Sequence, residues 1–366
     1  MKQILCPKCF DSCSAEEYAY VCTSPGCPKA SAPVFAQDAP TVSGKPVCPD
    51  CKKELSARIC RSCGYEFGEA DSAFGTDTLP FSIVGAEGSG KSNYLSVLID
   101  LIKSEVGKAY NCSLYPLGGD ITMEQYEKQY YTPLFVHGKC VASTQQETIQ
   151  PLVYSLVFSG RQAAGKTCNI TFYDACGANF DSVKVMGDHN RSIYNSRAIL
   201  FLIDPSQLPE LHNQLKMQGR PVTGPDASSL LSRTIHLIRN GRGMKNMNQK
   251  IDIPIAICLT KVDTIRHLLD PGSFLRYPSR HLREGKLDRI DCDSLNLEVQ
   301  SLIESWAGKE LLNQIQSQFE TYSFFGFSAL GASPGEQNQI HRISPHRVAD
   351  PFLWALWKNN IISSNV

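Results

Sequence analysis

The chain lacks any surplus of charge. Its 36 lysines and arginines meet 36 aspartates and glutamates, so the overall balance gives no push toward nucleic acid or an anionic membrane. No apolar run approaches the ~20 residues needed to span a bilayer. The opening Met1-Lys-Gln-Ile-Leu-Cys6-Pro-Lys-Cys9 has no apolar stretch of signal-peptide type, and a cytoplasmic location is expected. The even spread of cysteines typical of a disulfide scaffold is also missing. Nine of the 15 cysteines fall within the first 63 residues, mostly in pairs. In a reducing compartment that pattern favours metal thiolates. The others (Cys112, Cys140, Cys168, Cys176, Cys258 and Cys292) read as small core or surface residues.

What is present has room for two or three domains in 366 residues. Two cysteine-rich blocks, 1–30 and 46–68, are separated by an Ala/Pro/Ser-rich linker over 31–45 and followed by a second linker over 69–78. From 79 to 366 strand-length apolar runs alternate with helical patterns, with no internal repeat. Strands are expected at Phe81–Val84, Leu152–Phe158, Ile170–Tyr173, Ala198–Ile203, Ile255–Leu259 and Ser323–Phe327. Helices are expected at Lys91–Glu105, Ser228–Asn240, Leu295–Ala307 and near Pro351–Lys358. The alternation predicts an α/β domain with a mainly parallel sheet.

Between the first strand and helix lies Gly85-Ala86-Glu87-Gly88-Ser89-Gly90-Lys91-Ser92, the phosphate-loop pattern. Its glycines let backbone N–H groups turn toward phosphate oxygens at a helix N-terminus. Lys91 is expected to reach the β- and γ-phosphates, and the Ser92 hydroxyl to ligate magnesium. Asp174-Ala-Cys-Gly177 follows the third strand. Asp174 is placed to hold magnesium, and the Gly177 amide to meet the γ-phosphate. Thr260-Lys261-Val-Asp263 follows the fifth strand. The Asp263 carboxylate can accept two hydrogen bonds from guanine that adenine does not offer, and the Lys261 stem can lie over the base. Ser328-Ala329-Leu330 follows the sixth strand and matches a guanine-supporting loop, except for its third residue. All four motifs end strands, the edge where open α/β sheets bind ligands. GTP or GDP with Mg2+ is the expected ligand.

Residues 79–360 resemble the TRAFAC class of P-loop GTPases, which contains the Ras-like proteins. The closer resemblance is to bacterial “double-GTPase” domains of multi-gene conflict or defence systems. It is carried by Tyr126, Pro133-Leu134, Gly138, Thr144 and Val348-Ala-Asp-Pro-Phe-Leu-Trp354. It implies a Ras-like fold and a GTP-hydrolysing switch. From Lys91 to Asp174 is 174 − 91 = 83 positions, so the first switch is enlarged. Its magnesium-coordinating threonine is sought among Thr132, Thr144 and Thr148. Thr144 is favoured, a short loop before the second strand. Ala178 stands where many such enzymes place a water-orienting glutamine, so a slow intrinsic rate is expected. Asn179, Asp181, His189 or a partner would have to substitute. Arg191 and Arg197 read as surface residues of a switch helix more than as charge stabilisers.

In the cysteine blocks, Cys48, Cys51, Cys60 and Cys63 have zinc-ribbon spacing, and Cys6, Cys9, Cys22 and Cys27 are expected to form a second site, with Cys13 as an alternative ligand. Residues 1–70 hold eight basic and eight acidic side chains. A protein-docking role is therefore favoured over nucleic-acid binding. The expected partner is an unidentified protein that reads the nucleotide state. The alternative is a pseudo-GTPase scaffold acting through its zinc ribbons. The apolar Phe352–Trp357 stretch is read as a helix covering the sheet rather than an anchor.

Overall fold

The computed structural model describes residues 3–14, 19–30, 32–67, 77–118, 120–142, 151–159, 166–174, 189–212 and 226–365. The N-terminal region is built from short strands: β1 (Gln3–Leu5), β2 (Ser12–Ser14), β3 (Ala19–Val21), β4 (Pro33–Phe35), β5 (Thr41–Val42), β6 (Lys45–Pro46), β7 (Ala57–Ile59) and β8 (Glu66–Phe67). β4, β3, β7 and β8 form one antiparallel sheet. The pairing of β3 with β7 joins the two cysteine blocks. The stretch between the blocks takes part as well, since β4 pairs with β3. Apolar burial in this region is small. One cluster gathers Tyr20, Val34 and Leu55 around cysteines; the other gathers Tyr65 and Phe67.

The larger region carries β9 (Asp77–Gly85), β10 (Cys112–Pro116), β11 (Leu152–Phe158), β12 (Thr167–Asp174), β13 (Ala198–Ile203), β14 (Ile255–Leu259) and β15 (Tyr322–Gly326). They form one seven-stranded sheet in the order β10-β11-β12-β9-β13-β14-β15. β11 is antiparallel to both its neighbours, and the remaining pairs are parallel. With the edge strand β10 set aside, the order is second, third, first, fourth, fifth, sixth, with only the second strand reversed. That is the Ras-like P-loop arrangement. β10 was not expected from the sequence; its alternating buried and exposed residues are too short a pattern to stand out.

The central strands are apolar on both faces because helices cover both. Every residue of β13 and β14 is buried. The α-helices of six residues or more among the described residues are α1 (Lys91–Leu101), α2 (Asp120–Gln125), α3 (His189–Tyr194), α4 (Ala227–Gly241), α5 (Arg289–Ala307), α6 (Lys309–Gln318) and α7 (Asp350–Lys358). α4 shows how such a helix is specified. Asp226 caps it, accepting a hydrogen bond from the Ser229 N–H at 2.9 Å, and Leu230, Leu231, Thr234 and Ile238 bury one stripe. α1 and α2 each run on into π-helical turns, Ile102–Val106 and Tyr126–Val136, the second containing Pro133. The Tyr126 hydroxyl donates to the Ser96 carbonyl and the Ser96 hydroxyl to the Tyr130 carbonyl, clamping the second extension onto α1. α7 is a core helix. Phe352 packs on Phe81 and Phe172, and Trp354 on Phe325, at ring separations of 5.7–6.0 Å. No helix among the described residues is long and apolar enough to cross a membrane.

Candidate functional site

The C-terminal ends of the parallel strands converge on one rim. Gly85 ends β9 opposite Leu202 of β13, and a side chain there would meet the Leu202 carbonyl at 2.9 Å and the Ser89 hydroxyl at 2.6 Å. The loop therefore requires glycine at this point. Gly90, at φ +91°, turns the chain into α1, whose N-terminus has no side-chain cap and offers its N–H groups to an anion. Lys91 is buried, its ammonium donating to the carbonyls of Gly85 and Ala86 at 2.9 and 2.8 Å. The Ser92 hydroxyl donates to Asp174 Oδ2 at 2.6 Å. Two hard oxygen donors from separate elements thus meet beside the phosphate loop, the donor chemistry that magnesium takes.

Asp263 stands at the other end of the cleft. The Ser328 hydroxyl donates to Asp263 Oδ1 at 2.5 Å and accepts from the Gly331 N–H at 2.9 Å. The serine of the weakest motif therefore aims the carboxylate of a stronger one. Lys261, with backbone φ +51°, sends its ammonium back to the Gly88 carbonyl at 2.7 Å and to Asp204 Oδ2 at 2.5 Å. It ties the Asp263 end of the cleft to the Gly85–Ser92 loop. Thr260 lines the cavity and is also tied to the sheet. Its side chain donates to the Ile203 carbonyl at 3.2 Å, bracing β14 against β13. A cavity of about 480 Å³ lies between these groups, lined by Gly88, Asn93, Lys261, Asp263, Ser328 and Leu330 among others.

A strap closes part of this cavity. The excursion after Ser328 returns past it, since Ser328 and His346 exchange backbone hydrogen bonds of 3.0 and 2.9 Å. On the way it pairs with the segment that follows the π-helical extension of α2. The Ile340 N–H donates to the Gly138 carbonyl at 2.7 Å and the Cys140 N–H to the Asn338 carbonyl at 3.0 Å. Asn93 of α1 accepts from the Val141 N–H at 2.9 Å. The sequence singled out Gly138 but not Asp204, Asn93, Cys140 or Asn338, all of which line the cavity. Asp204 had one readable signal: it directly follows an apolar strand, on the same rim as the other motifs.

Thr144, Thr148, Cys176, Gly177, Ala178, Asn179 and Asp181 lie outside the described residues. Thr132 belongs to the π-helical extension of α2, and His189 begins α3. Arg191 reaches the N-terminal region, donating to the Cys9 carbonyl and to Asp11 Oδ1 at 3.4 Å.

The cysteines form two four-thiol clusters, one of Cys6, Cys9, Cys60 and Cys63, the other of Cys22, Cys27, Cys48 and Cys51, with all sulfurs of each within 4.8 Å of one another. The eight residues are the expected ones, but the grouping is not. Each cluster draws one pair from each block. The strand pairing is the reason. β3 and β7 are antiparallel with Ala19 opposite Ile59 and Val21 opposite Ala57. Cys60 and Cys22 therefore emerge at opposite ends of the pair, roughly 13 Å apart at strand rise. Sulfur separations of 3.5–3.7 Å across the pairs match the ~3.8 Å edge of a tetrahedral thiolate–zinc shell. Burial pushes the Cys9 thiol up to about 12, while the Lys53 N–H, with the neighbouring thiols, holds Cys51 down at about 6. Such divergent thiols are brought to one state when a metal displaces their protons.

No family model matches the chain, and no curated protein matches it. Among solved structures it is similar to the Arl6 BBS3 small GTPase from Trypanosoma brucei with bound nucleotide analogue GppNp, at 12% identity, over 78% of this chain and 99% of that one, with a TM-score of 0.33. The fold assignment stands on strand order and direction, independently of this likeness.

Proposed function

We propose that the chain is a magnesium-dependent GTP-binding switch that hydrolyses GTP slowly by itself, carrying two structural zinc ions. The observation that carries this reading is the pairing of Ser328 with Asp263, joined through Lys261 to the phosphate loop. A carboxylate held at a set angle beside a phosphate cradle suits the two donors on one edge of guanine. Adenine would leave that half-buried acceptor side unpaired, a costly mismatch.

In this reading Lys91 leaves the Gly85 and Ala86 carbonyls for the β- and γ-phosphates. Ser92 and Asp174 hold magnesium, which when bound neutralises developing phosphate charge. The uncapped start of α1 and the loop amides cradle the remaining oxygens. Thr144 and Gly177 are the proposed γ-phosphate sensors. The missing glutamine at Ala178 argues for a partner-supplied group or a slow rate, and is also the observation that favours a nucleotide-binding scaffold without turnover. The resemblance places such a switch in a bacterial conflict or defence system, working in the cytoplasm with a protein partner. Both cysteine clusters suit zinc by sulfur count and spacing. Four thiolates leave no open position, which makes the metals structural.

Calorimetry with GTP, GDP and a non-hydrolysable ATP analogue, each with magnesium, tests the reading. Guanine nucleotides are expected to bind and the ATP analogue not. Asp263→Ala should abolish that preference, and Lys91→Ala should remove most binding to either base. Preference for the ATP analogue would overturn the guanine assignment.

A further inference from the structure

We infer that the Cys6–Cys9–Cys60–Cys63 site, besides its structural role, regulates the nucleotide site, and that Phe10 and Tyr173 are the positioning residues through which it acts on Asp174. This rests on the proposed role of Asp174 in binding magnesium and nucleotide.

The first observation is a conformational misfit. In three of the cysteine pairs the residue after the second cysteine is left-handed: Phe10 at φ +63°, Lys52 at φ +61° and Gly64 at φ +69°. The turn demands it, because the N–H of this residue donates back to the first cysteine's carbonyl at 2.9–3.0 Å in all three. Gly64 adopts the angle without strain, whereas a phenylalanine meets a steric penalty there. What the misfit achieves is contact. The buried Phe10 ring lies 5.2 Å from the ring of Tyr173, the residue before Asp174 at the end of β12.

The second observation is an orphaned hydroxyl. Tyr173 is 7% exposed, and its buried O–H has no hydrogen-bond partner among the described residues. Its ring rests on Phe10, the residue after the ligand Cys9, and no sulfur lies within hydrogen-bond reach of the hydroxyl. Metal binding replaces neutral thiols by thiolates on one ion and fixes the Cys6–Asp11 knuckle against which Tyr173 rests, so both the ring and its buried dipole respond to whether the site is filled.

A third contact lies beyond residues 175–188. Arg191 of α3 donates to the Cys9 carbonyl and pairs with Asp11. The knuckle Cys6–Asp11 therefore touches the chain on both flanks of 175–188. Tyr65 and Phe67 complete the seat by packing with Leu117 and Val153 of the large region. The other cluster has no such seat. Its packing partners among the described residues, such as Tyr20, Val34 and Leu55, all belong to the N-terminal region. Metal at the first site and magnesium–nucleotide at the phosphate loop should thus stabilise one another reciprocally.

The test uses the full zinc-loaded chain and follows zinc release to a chromogenic chelator, with and without saturating GDP and magnesium. In the native protein GDP with magnesium should slow release of one of the two zinc ions by about five-fold or more, and leave the other unchanged. Phe10→Gly suits the left-handed turn and should retain both ions while losing the protection. Phe10→Tyr should keep it. Tyr173→Phe, which removes only the hydroxyl, should also lose it, and carries the test should Phe10→Gly bind fewer than two ions. Protection that is absent from the native protein while GDP binds, or unchanged in both Phe10→Gly and Tyr173→Phe, overturns the inference and leaves the GTP switch standing. A chain that binds no guanine nucleotide overturns both.

Discussion

Asp204 shows how one residue organises a cleft without any motif to announce it. Its carboxylate accepts from the Ser206 N–H at 2.8 Å and pairs with Lys261, while its own N–H donates to Gln207 Oε1 at 2.9 Å. A short capped turn thus holds the carboxylate, and the carboxylate holds the lysine. The pair is partly open to solvent on the lysine side, so its worth is set near 1 kcal/mol. Asp204→Ala is accordingly expected to weaken GDP binding about five-fold in calorimetry, without changing the preference for guanine. At this scale Gly85 was legible because the backbone leaves no room for a side chain there, and Lys91 and Asp263 because their motifs follow apolar strands that end on one rim. The sequence was opaque where a side chain acts through another, as with Asp204 on Lys261 and Ser328 on Asp263. Thr260 lines the cavity while its hydroxyl donates to the Ile203 carbonyl of β13, a brace that its motif does not announce.

At the scale of elements, the strap and the buried ion cluster make separate demands. The strap is held by backbone hydrogen bonds, and Ile340→Pro deletes the donor to Gly138. Losing a bond worth about 1 kcal/mol should speed GDP release roughly five-fold, measurable by displacement of a fluorescent nucleotide. Arg347 binds Asp291 through two nitrogens at 2.8 and 3.0 Å and Asp350 at 2.8 Å, all buried. Arg347→Met leaves those carboxylates without their cation and is expected to cost about 3–5 kcal/mol in chemical denaturation. Burial pushes the Asp291 carboxyl up, but Arg347 outweighs it and holds the group below its ordinary value. Asp291 therefore adds stability above the unfolded-state carboxylate value, and that contribution is lost as the pH falls through its lower folded value. The apolar strands could be read from sequence with their ends within a few residues, because both faces are buried. β10 and α6 could not. The first is an edge strand with few apolar residues, and the second is a ten-residue helix with only Leu311, Leu312 and Ile315 buried to mark it.

At the scale of the whole molecule, the sequence conveyed the order of the parts but not which cysteines share a metal. Spacing along the chain reports local pairs, and only the antiparallel match of β3 with β7 decides how pairs combine. Truncation at residue 46 should test this. Under contiguous sites it would leave one complete ligand set, whereas here it leaves two half-sets. The truncated chain is expected to retain no tightly bound zinc by metal analysis. The interleaving also sets a sequence of events for a growing chain. The inner cluster spans Cys22 to Cys51 and the outer one Cys6 to Cys63, so the two loops are nested. Closing the inner loop shortens the free span that the outer one must search. Cys6 and Cys9 leave the ribosome first among the ligands but wait longest for their partners. The outer cluster, the one beneath Tyr173, is the last to be completed, so a filled outer site reports that the whole N-terminal region has finished assembling.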